Sequence, residues 1–239
     1  RRTTGHAAGK GRGKAVARKH DRAFAEAQRR IAQARRGGAT KLDLRIPDLQ
    51  TIPDDIAGLS GLTALDLLDT QITNLAPLAG LTALTALNVE GTKVRDLAPL
   101  AGISALTALN LRATQVTNLR PLTGLHALKL LHLWDTKVRS LAPLARLTAL
   151  SELNLMNTRV TDLALLAGLT ALASLDLTNT HVVDIRPTRR LALASEKRGL
   201  TDGLWFSDTA ATRFDPELAR LSGIHNNRDR TRETLAYLN

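Results

Sequence analysis

Hydrophobic residues recur along this chain with a period of 22 residues. The period is marked by a threonine at the same position of six successive repeats: Thr70, Thr92, Thr114, Thr136, Thr158 and Thr180. Hydrophobic residues such as Leu65 and Leu67 stand five and three places before each threonine, and this alternation predicts a short β-strand. A repeat of this length predicts a stack of coils, because one such unit cannot bury its hydrophobic face alone.

The second half of each repeat predicts a return towards the next strand. Val, Ile or Leu stands two and five places after the threonine, and Pro-Leu follows at seven and eight places in four repeats, as in Pro77-Leu78. Proline fits the first turn of a short helix, where its missing N–H would have no partner in any case. Equivalent leucines at Leu42 and Leu204 add one coil at each end, so the pattern predicts eight strands.

These elements together predict an α/β solenoid of about eight coils, a horseshoe with a parallel strand ladder on its concave face and short helical turns on its convex face. The helical spacing of Ala27 and Ile31 predicts a helix that caps the first coil. Asp215 followed by Pro216 is typical of a helix N-terminus beyond the last coil. We therefore divide the chain into a flexible basic tail at 1–14, an N-terminal capping helix at 15–39, the repeat domain at 40–210 and a C-terminal helical cap at 211–239.

The stretch LTALDLLDTQITNLAPLAGLTAL, residues 62–84, resembles a leucine-rich repeat of the 22-residue bacterial type and is similar to internalin repeats. The resemblance covers roughly residues 40–210, and it implies helical caps at both ends. Repeats of that family usually carry asparagine where this chain has threonine. The side-chain amide of that asparagine forms hydrogen bonds with backbone groups of neighbouring coils. Because a hydroxyl offers one donor and an amide two, we expect the threonines to form a ladder between coils with fewer bonds per coil.

Positive charge is concentrated in the first part of the chain. The 239 residues include 33 Lys or Arg and 22 Asp or Glu, which gives a formal net charge of +11. Residues 1–41 hold 13 of the basic and two of the acidic residues, so the rest of the chain is balanced. This segment is expected to make weak, nonspecific contacts with anionic polymers. Nucleic-acid binding is a third hypothesis, although the segment lacks interleaved aromatic residues.

The sequence contains no recognisable catalytic, metal or cofactor site. There is no cysteine, and the six histidines are not spaced as metal ligands. The run GHAAGKGRGKA is not a phosphate-binding loop, because three residues separate Gly5 and Gly9 where that loop has four, and Gly11 follows Lys10. We therefore predict a protein that is not an enzyme and needs no cofactor.

No hydrophobic stretch is long enough for a membrane span, and no signal-like segment is visible. We accordingly expect no membrane span and a cytoplasmic location, with secretion by a signal-independent route left open. The chain begins with Arg1 rather than methionine, which suggests a fragment.

Function is expected on the concave strand face, where the residues flanking the buried leucines project to one side. Trp134 is the only Phe, Trp or Tyr between residues 25 and 204, and it stands between Arg112 and Met156 of the adjacent coils. Trp, Arg and Met are enriched in the cores of protein interfaces. The alternative is a solitary tryptophan that packs on its neighbours. The predicted partner-binding residues are Trp134, Arg112, Met156, His132, Glu90, Asn154 and Leu68.

The resulting hypothesis is a non-catalytic module that binds a partner protein through the concave face. The alternative is the recognition or scaffold part of a larger bacterial enzyme, such as a protein in which leucine-rich repeats precede a GTPase domain. A phosphate-binding loop after a strand beyond Asn239 would favour this alternative.

We expect the basic segment 1–41 to bind anionic polymers mainly through the release of counterions. Raising the salt concentration from about 0.05 M to about 0.2 M should weaken binding by at least about tenfold, whatever the sequence of the polymer. Fluorescence anisotropy with two single-stranded DNA oligonucleotides of different sequence measures this effect. Sequence-selective binding that persists at about 0.2 M salt would contradict it and would support nucleic-acid recognition.

Overall fold

The computed structural model describes residues 8–191, 193, 203–225 and 227–238. Eight three-residue strands pair in sequence order into one parallel sheet, and the central leucine of each strand aligns with that of the next, as Leu65 does with Leu87. This arrangement confirms the predicted ladder. The strands are β1 Lys41–Asp43, β2 Ala64–Asp66, β3 Ala86–Asn88, β4 Ala108–Asn110, β5 Leu130–His132, β6 Glu152–Asn154, β7 Ser174–Asp176 and β8 Gly203–Trp205.

Short 3-10 helices follow the strands on the other side of each coil. Proline occupies one of the first two helical positions in five of them, as Pro77 does, and a buried leucine such as Leu78 comes next in four of these five. The prediction of tight helical turns is therefore confirmed. The 3-10 helices are Asp54–Gly58, Ala76–Leu78, Ala98–Leu100, Arg120–Leu122, Ala142–Leu144, Ala164–Gly168 and Arg186–Arg190.

The hydrophobic core runs through the stack between the strands and the 3-10 helices. Leu67, Ile72, Leu78 and Leu84 belong to one coil, and each is fully buried. The equivalent residues of the neighbouring coils belong to the same cluster. Each coil thus buries its leucines against the coils on both sides of it, which is the packing expected of a repeat protein.

The repeat threonines are buried, but they do not link neighbouring coils as expected. Thr136 Oγ1 donates to the Leu133 carbonyl of its own coil at 2.6 Å, and the Thr136 amide donates to the same carbonyl at 3.1 Å. The other five repeat threonines make the same hydroxyl bond. The prediction of a hydroxyl ladder at this position was therefore wrong, because a short side chain reaches the carbonyl three residues earlier in its own turn.

Hydroxyl bonds between coils occur instead in a second column, seven residues before the repeat threonines. Thr85 Oγ1 donates to the Thr63 carbonyl, and Thr107 Oγ1 donates to the Thr85 carbonyl, both at 3.0 Å. Ser151 Oγ donates to the Lys129 carbonyl in the same way at 3.2 Å. Side chains therefore do connect successive coils in this second column, where Thr or Ser stands just before the strand.

The residue that precedes each repeat threonine adopts a left-handed backbone conformation. Its φ is between +53° and +69° in all six coils, and in most of them it is Asp, Asn or Gly, the residue types that tolerate this region best. Asn157 Nδ2 donates to Asp135 Oδ1 of the preceding coil at 2.7 Å. Ala113 is the exception, because its φ is +53° and it has neither glycine's freedom nor a polar side chain.

Helix α1, Ala8–Gly37, covers the first coil. Its residues Ala27 and Ile31 are buried in the shared core, which agrees with the predicted cap. The helix begins at Ala8, so the predicted boundary at residue 15 was wrong, and residues 1–7 of the expected tail lie outside the described residues. Ala8, the two lysines and Arg12 favour a helix here and no proline interrupts residues 8–14, although the three glycines of this stretch oppose it.

Helices α2 Ala210–Phe214, α3 Pro216–Ser222 and α4 Asn227–Leu238 cover the other end. Asp215 Oδ1 accepts the backbone N–H groups of Glu217 and Leu218, so the predicted helix start at this point is confirmed. Helix α4 packs on β8, where the Leu204 amide donates to Thr231 Oγ1 at 3.0 Å and Arg230 Nε donates to the Leu204 carbonyl at 2.9 Å. These bonds occupy backbone groups that would otherwise form an open sheet edge.

We expect Thr136→Val to reduce the free energy of unfolding by about 1–2 kcal/mol. The change removes one of two donors to the Leu133 carbonyl, and a methyl group cannot approach that oxygen at 2.6 Å. Urea denaturation measures the loss. Thr117→Val is the matched control, because Thr117 is exposed, and it should change stability by less than about 0.5 kcal/mol. Equal stability of the two variants would show that the buried hydroxyl contributes nothing.

We expect Ala113→Gly to raise the free energy of unfolding by about 0.5–1 kcal/mol, because glycine relieves the cost of a positive φ. Ala101→Gly should lower it by a similar amount, because Ala101 is exposed and has a φ of −59°, where glycine brings only extra chain entropy. Thermal melting of both variants provides the comparison. A loss of stability in both would mean that the backbone at Ala113 is not strained.

Candidate functional site

The side chains that flank the buried strand leucines form one continuous surface, which we call the strand face. Strand pairing aligns these side chains into three columns, and eight strands make a surface about 34 Å long. The first column is Lys41, Ala64, Ala86, Ala108, Leu130, Glu152, Ser174 and Gly203; the second is Asp43, Asp66, Asn88, Asn110, His132, Asn154, Asp176 and Trp205; the third is Arg45, Leu68, Glu90, Arg112, Trp134, Met156, Thr178 and Ser207.

Most of the second column supports the backbone of its own coil. Asn154 Oδ1 accepts the backbone N–H of Met156 at 3.0 Å, and Asn154 Nδ2 donates to Asp176 Oδ2 at 3.3 Å. Asn110 Oδ1 likewise accepts the Arg112 N–H at 3.1 Å. These bonds hold the third column in place. They also mean that Asn154, one of the predicted contact residues, already uses its amide group within the solenoid.

A chain of contacts joins three of the predicted site residues in neighbouring coils. Arg112 Nη1 lies 3.1 Å from Glu90 Oε1, and Asn110 Nδ2 donates to Glu90 Oε2 at 2.8 Å. The Arg112 guanidinium carbon lies 3.4 Å from the centre of the Trp134 ring, a cation–π contact. Glu90 therefore holds the guanidinium over the tryptophan. About two fifths of the Arg112 side chain stays exposed, so the arginine forms the outer surface of this cluster.

Trp134 is half-buried rather than fully exposed. The reason is the Arg112 side chain, which reaches across from the preceding coil and covers the ring. The Trp134 Nε1–H group is buried and has no hydrogen-bond partner among the described residues. A buried donor without a partner is unfavourable for folding, whereas the contact of the ring with Arg112 is favourable.

His132 departs from the backbone-supporting role of its column. Its Nε2 lies 2.7 Å from Glu152 Oε1 of the next coil, and each of the two side chains is about one third exposed. The hydrogen bond with His132 holds the pKa of Glu152 below its ordinary value, although desolvation opposes the shift. This interaction therefore stabilises the fold above the unfolded pKa of Glu152, and the contribution is lost as the pH falls through the lowered pKa.

The structure groups most, but not all, of the predicted site residues. Met156 is half-buried one coil beyond Trp134, and Glu90, Arg112 and Trp134 occupy successive coils of the same column. Leu68 is half-buried at the equivalent place three coils before Trp134, about 14 Å away. It therefore lies outside the tryptophan cluster.

The structure also shows a shallow groove that the sequence analysis missed. Its floor contains the half-buried Ala64, Ala86 and Ala108 of the first column, its volume is about 590 Å³, and Leu130 lies at one end. The signal in the sequence was the alanine before the first strand leucine in three successive coils. We passed over this signal because alanine in isolation has no distinctive chemistry.

No group of three or more His, Cys, Asp or Glu side chains within the described part of the chain is arranged to hold a metal ion. None of the described helices is both long enough and apolar enough to cross a membrane.

Stacked parallel coils of 22 residues with one strand each define a leucine-rich repeat protein. Neither a protein-family profile nor a curated protein sequence matches the chain. Among solved structures, internalin C2 of Listeria monocytogenes is 30% identical with a TM-score of 0.70, over 79% of this chain and 84% of that chain. The chain therefore belongs to the internalin-type leucine-rich repeat proteins.

Two further solved structures are similar over a smaller share of their length. The internalin inlF of Listeria monocytogenes is 26% identical with a TM-score of 0.55, over 71% of this chain and 54% of that chain. A leucine-rich repeat protein of Leptospira interrogans is 22% identical with a TM-score of 0.60, over 74% of this chain and 51% of that chain, and it shares the fold. The chain thus spans about half the length of these two proteins.

Proposed function

We propose that this protein is a non-catalytic module that binds a partner protein through the strand face, with Trp134 at the centre of the contact. The observation that supports the proposal is the tryptophan itself, which is half-buried beneath Arg112 and has an N–H group without a partner in the described part of the chain. Membership of the internalin-type repeat proteins supports an interaction module of this kind. The other contact residues are Arg112, Met156, His132, Glu90, Asn154 and Leu68.

The tryptophan cluster has the composition of an interface core. Trp and Arg are the residue types that most often dominate binding energy, and Met adapts to irregular surfaces. The bond to Glu90 holds Arg112 in one orientation, so less side-chain entropy is lost when a partner contacts it. A surface about 34 Å long is also large enough for a standard protein interface, which covers about 800 Å² on each partner.

The open groove on the first column extends the proposed contact beyond the tryptophan. Its alanine floor allows close approach of a partner's backbone, and the exposed Leu130 offers apolar surface at the end nearest the cluster. Leu68 lies on the opposite side of the second column from this floor, in the coil of Ala64. In the proposed complex, Leu68 contacts the end of the partner that lies farthest from Trp134.

We expect Trp134→Ala to weaken binding to the partner by at least about 2 kcal/mol. A pull-down from cell extract with quantitative mass spectrometry compares the wild type with this variant. Phe214→Ala is the matched control, since Phe214 is an aromatic residue of the C-terminal cap that is 81% exposed and lies away from the strand face. The partner should be retained by the control and lost from Trp134→Ala.

The stability of Trp134→Ala must be measured in parallel, because the ring is half-buried. We expect a loss of no more than about 2 kcal/mol, which leaves a repeat protein of this size folded. Arg112→Ala and Met156→Ala should weaken the same complex by smaller amounts. A partner that binds Trp134→Ala as tightly as the wild type would contradict the proposed contact surface.

A further inference from the structure

A second surface of the solenoid carries a row of cationic side chains that form no salt bridge with a described acidic residue. It lies just past the strands, at the positions one and three residues after each repeat threonine. We call its five cations the basic edge; they are Lys93, Arg95, Lys137, Arg139 and Arg159. All five are exposed, and no Asp or Glu occupies either position in any of the six coils.

The backbone directs these side chains to one face. Between Lys137 and Arg139 stands Val138, which is fully buried, so the two cations point outward on the same side of an extended segment. Successive coils are in register here, because the Lys137 amide donates to the Val116 carbonyl at 3.2 Å and the Arg159 amide donates to the Val138 carbonyl at 3.0 Å. The five cations therefore form one patch along the stack.

Nearby acidic groups are engaged in the coil and do not pair with these cations. Asp96 Oδ1 and Asp162 Oδ1 accept backbone N–H groups at the start of 3-10 helices, and Asp135 Oδ1 accepts from Asn157. None of the five cations forms a salt bridge with a described residue. Beyond residue 41 the chain is balanced in charge, so this patch is a local feature and not a consequence of a general excess.

We propose that the basic edge is a second protein-binding surface and that it accepts an acidic α-helix lying along the stack. Two cations stand in the coil of Lys93 and two in the coil of Lys137, about 10 Å farther on, with Arg159 about 5 Å beyond that. An α-helix rises 1.5 Å per residue, so carboxylates at i, i+7 and i+10 recur at about 10 Å and then about 5 Å. They also lie on one face of the helix.

The chemistry of the patch favours a protein over a nucleic acid. Single-stranded nucleic acids are held by a charged groove together with aromatic side chains on which bases stack, and no Phe, Trp or Tyr occupies these positions in any of the six coils. The coil between the cationic ones offers Gln115 and Thr117, which can donate hydrogen bonds to carboxylates. Arg95 Nε already reaches across to Gln115 Oε1 at 2.6 Å, so side chains of neighbouring coils act together here.

The test uses the full chain and a stabilised helical peptide with Glu at i, i+7 and i+10 in an otherwise neutral sequence. Lys137→Glu combined with Arg139→Glu should weaken binding of this peptide by at least about tenfold at low salt. The matched control is Arg120→Glu combined with Arg146→Glu, which changes the net charge equally on exposed residues of the helical side and should weaken binding less than about twofold. Circular dichroism melting confirms that both variants are folded.

Four comparisons test the proposal. A peptide of the same composition with its glutamates on different faces should bind at least about fivefold more weakly, and equal binding would overturn the helical match. An equal loss of peptide binding in both double variants would show that only overall charge attracts the peptide and would overturn the proposal. Single-stranded DNA that binds more tightly than the peptide, and does so through Lys137 and Arg139, would show a nucleic-acid site instead. Trp134→Ala should leave peptide binding unchanged. Loss of peptide binding in this variant would place the peptide on the strand face.

Discussion

Burial of each coil against its neighbours is the constraint on which the rest of this structure depends. One coil has a three-residue strand and a short helical turn, which is too little to enclose a core. Its leucines are covered only when the next coil stacks at a constant distance and in register. For this reason the repeat threonine never shifts from its 22-residue spacing, and helices close both ends of the stack, where the outermost leucines have no further coil to cover them.

The same constraint explains how polar side chains are used. Each coil brings backbone groups into a dry interior, and these groups need partners close at hand. The Thr136 hydroxyl donates a hydrogen bond to a carbonyl of its own turn, and the Asn110 side chain accepts one from the backbone just after its strand. The Asn157 side chain donates a hydrogen bond to a carboxylate of the preceding coil. Side chains with such roles have fewer hydrogen-bonding groups free to contact a partner. The contact surface that we propose therefore relies mainly on side chains that project outward without a backbone partner.

Two outward surfaces remain, and they differ in their chemistry. On the strand face, polar side chains are paired with one another, as Arg112 is with Glu90 and His132 is with Glu152. The group without a partner among the described residues is the indole N–H of Trp134. Such a surface favours close packing. On the basic edge, cations such as Lys137 have no acidic partner among the described residues, which favours attraction over a longer distance.

The sequence alone was sufficient to predict the strands, their register, the tight helical turns and the presence of both caps. The reason is that the same local pattern recurs in every coil at a strict period. It also placed Trp134, Arg112 and Met156 in one column, since column membership follows from the period. Only the tertiary structure decided that Arg112 covers the tryptophan, that the Thr136 hydroxyl stays within its own coil, and that three alanines line a groove. These features depend on distances between side chains and on their rotamers, and a repeat period specifies where a residue stands but not what its side chain reaches.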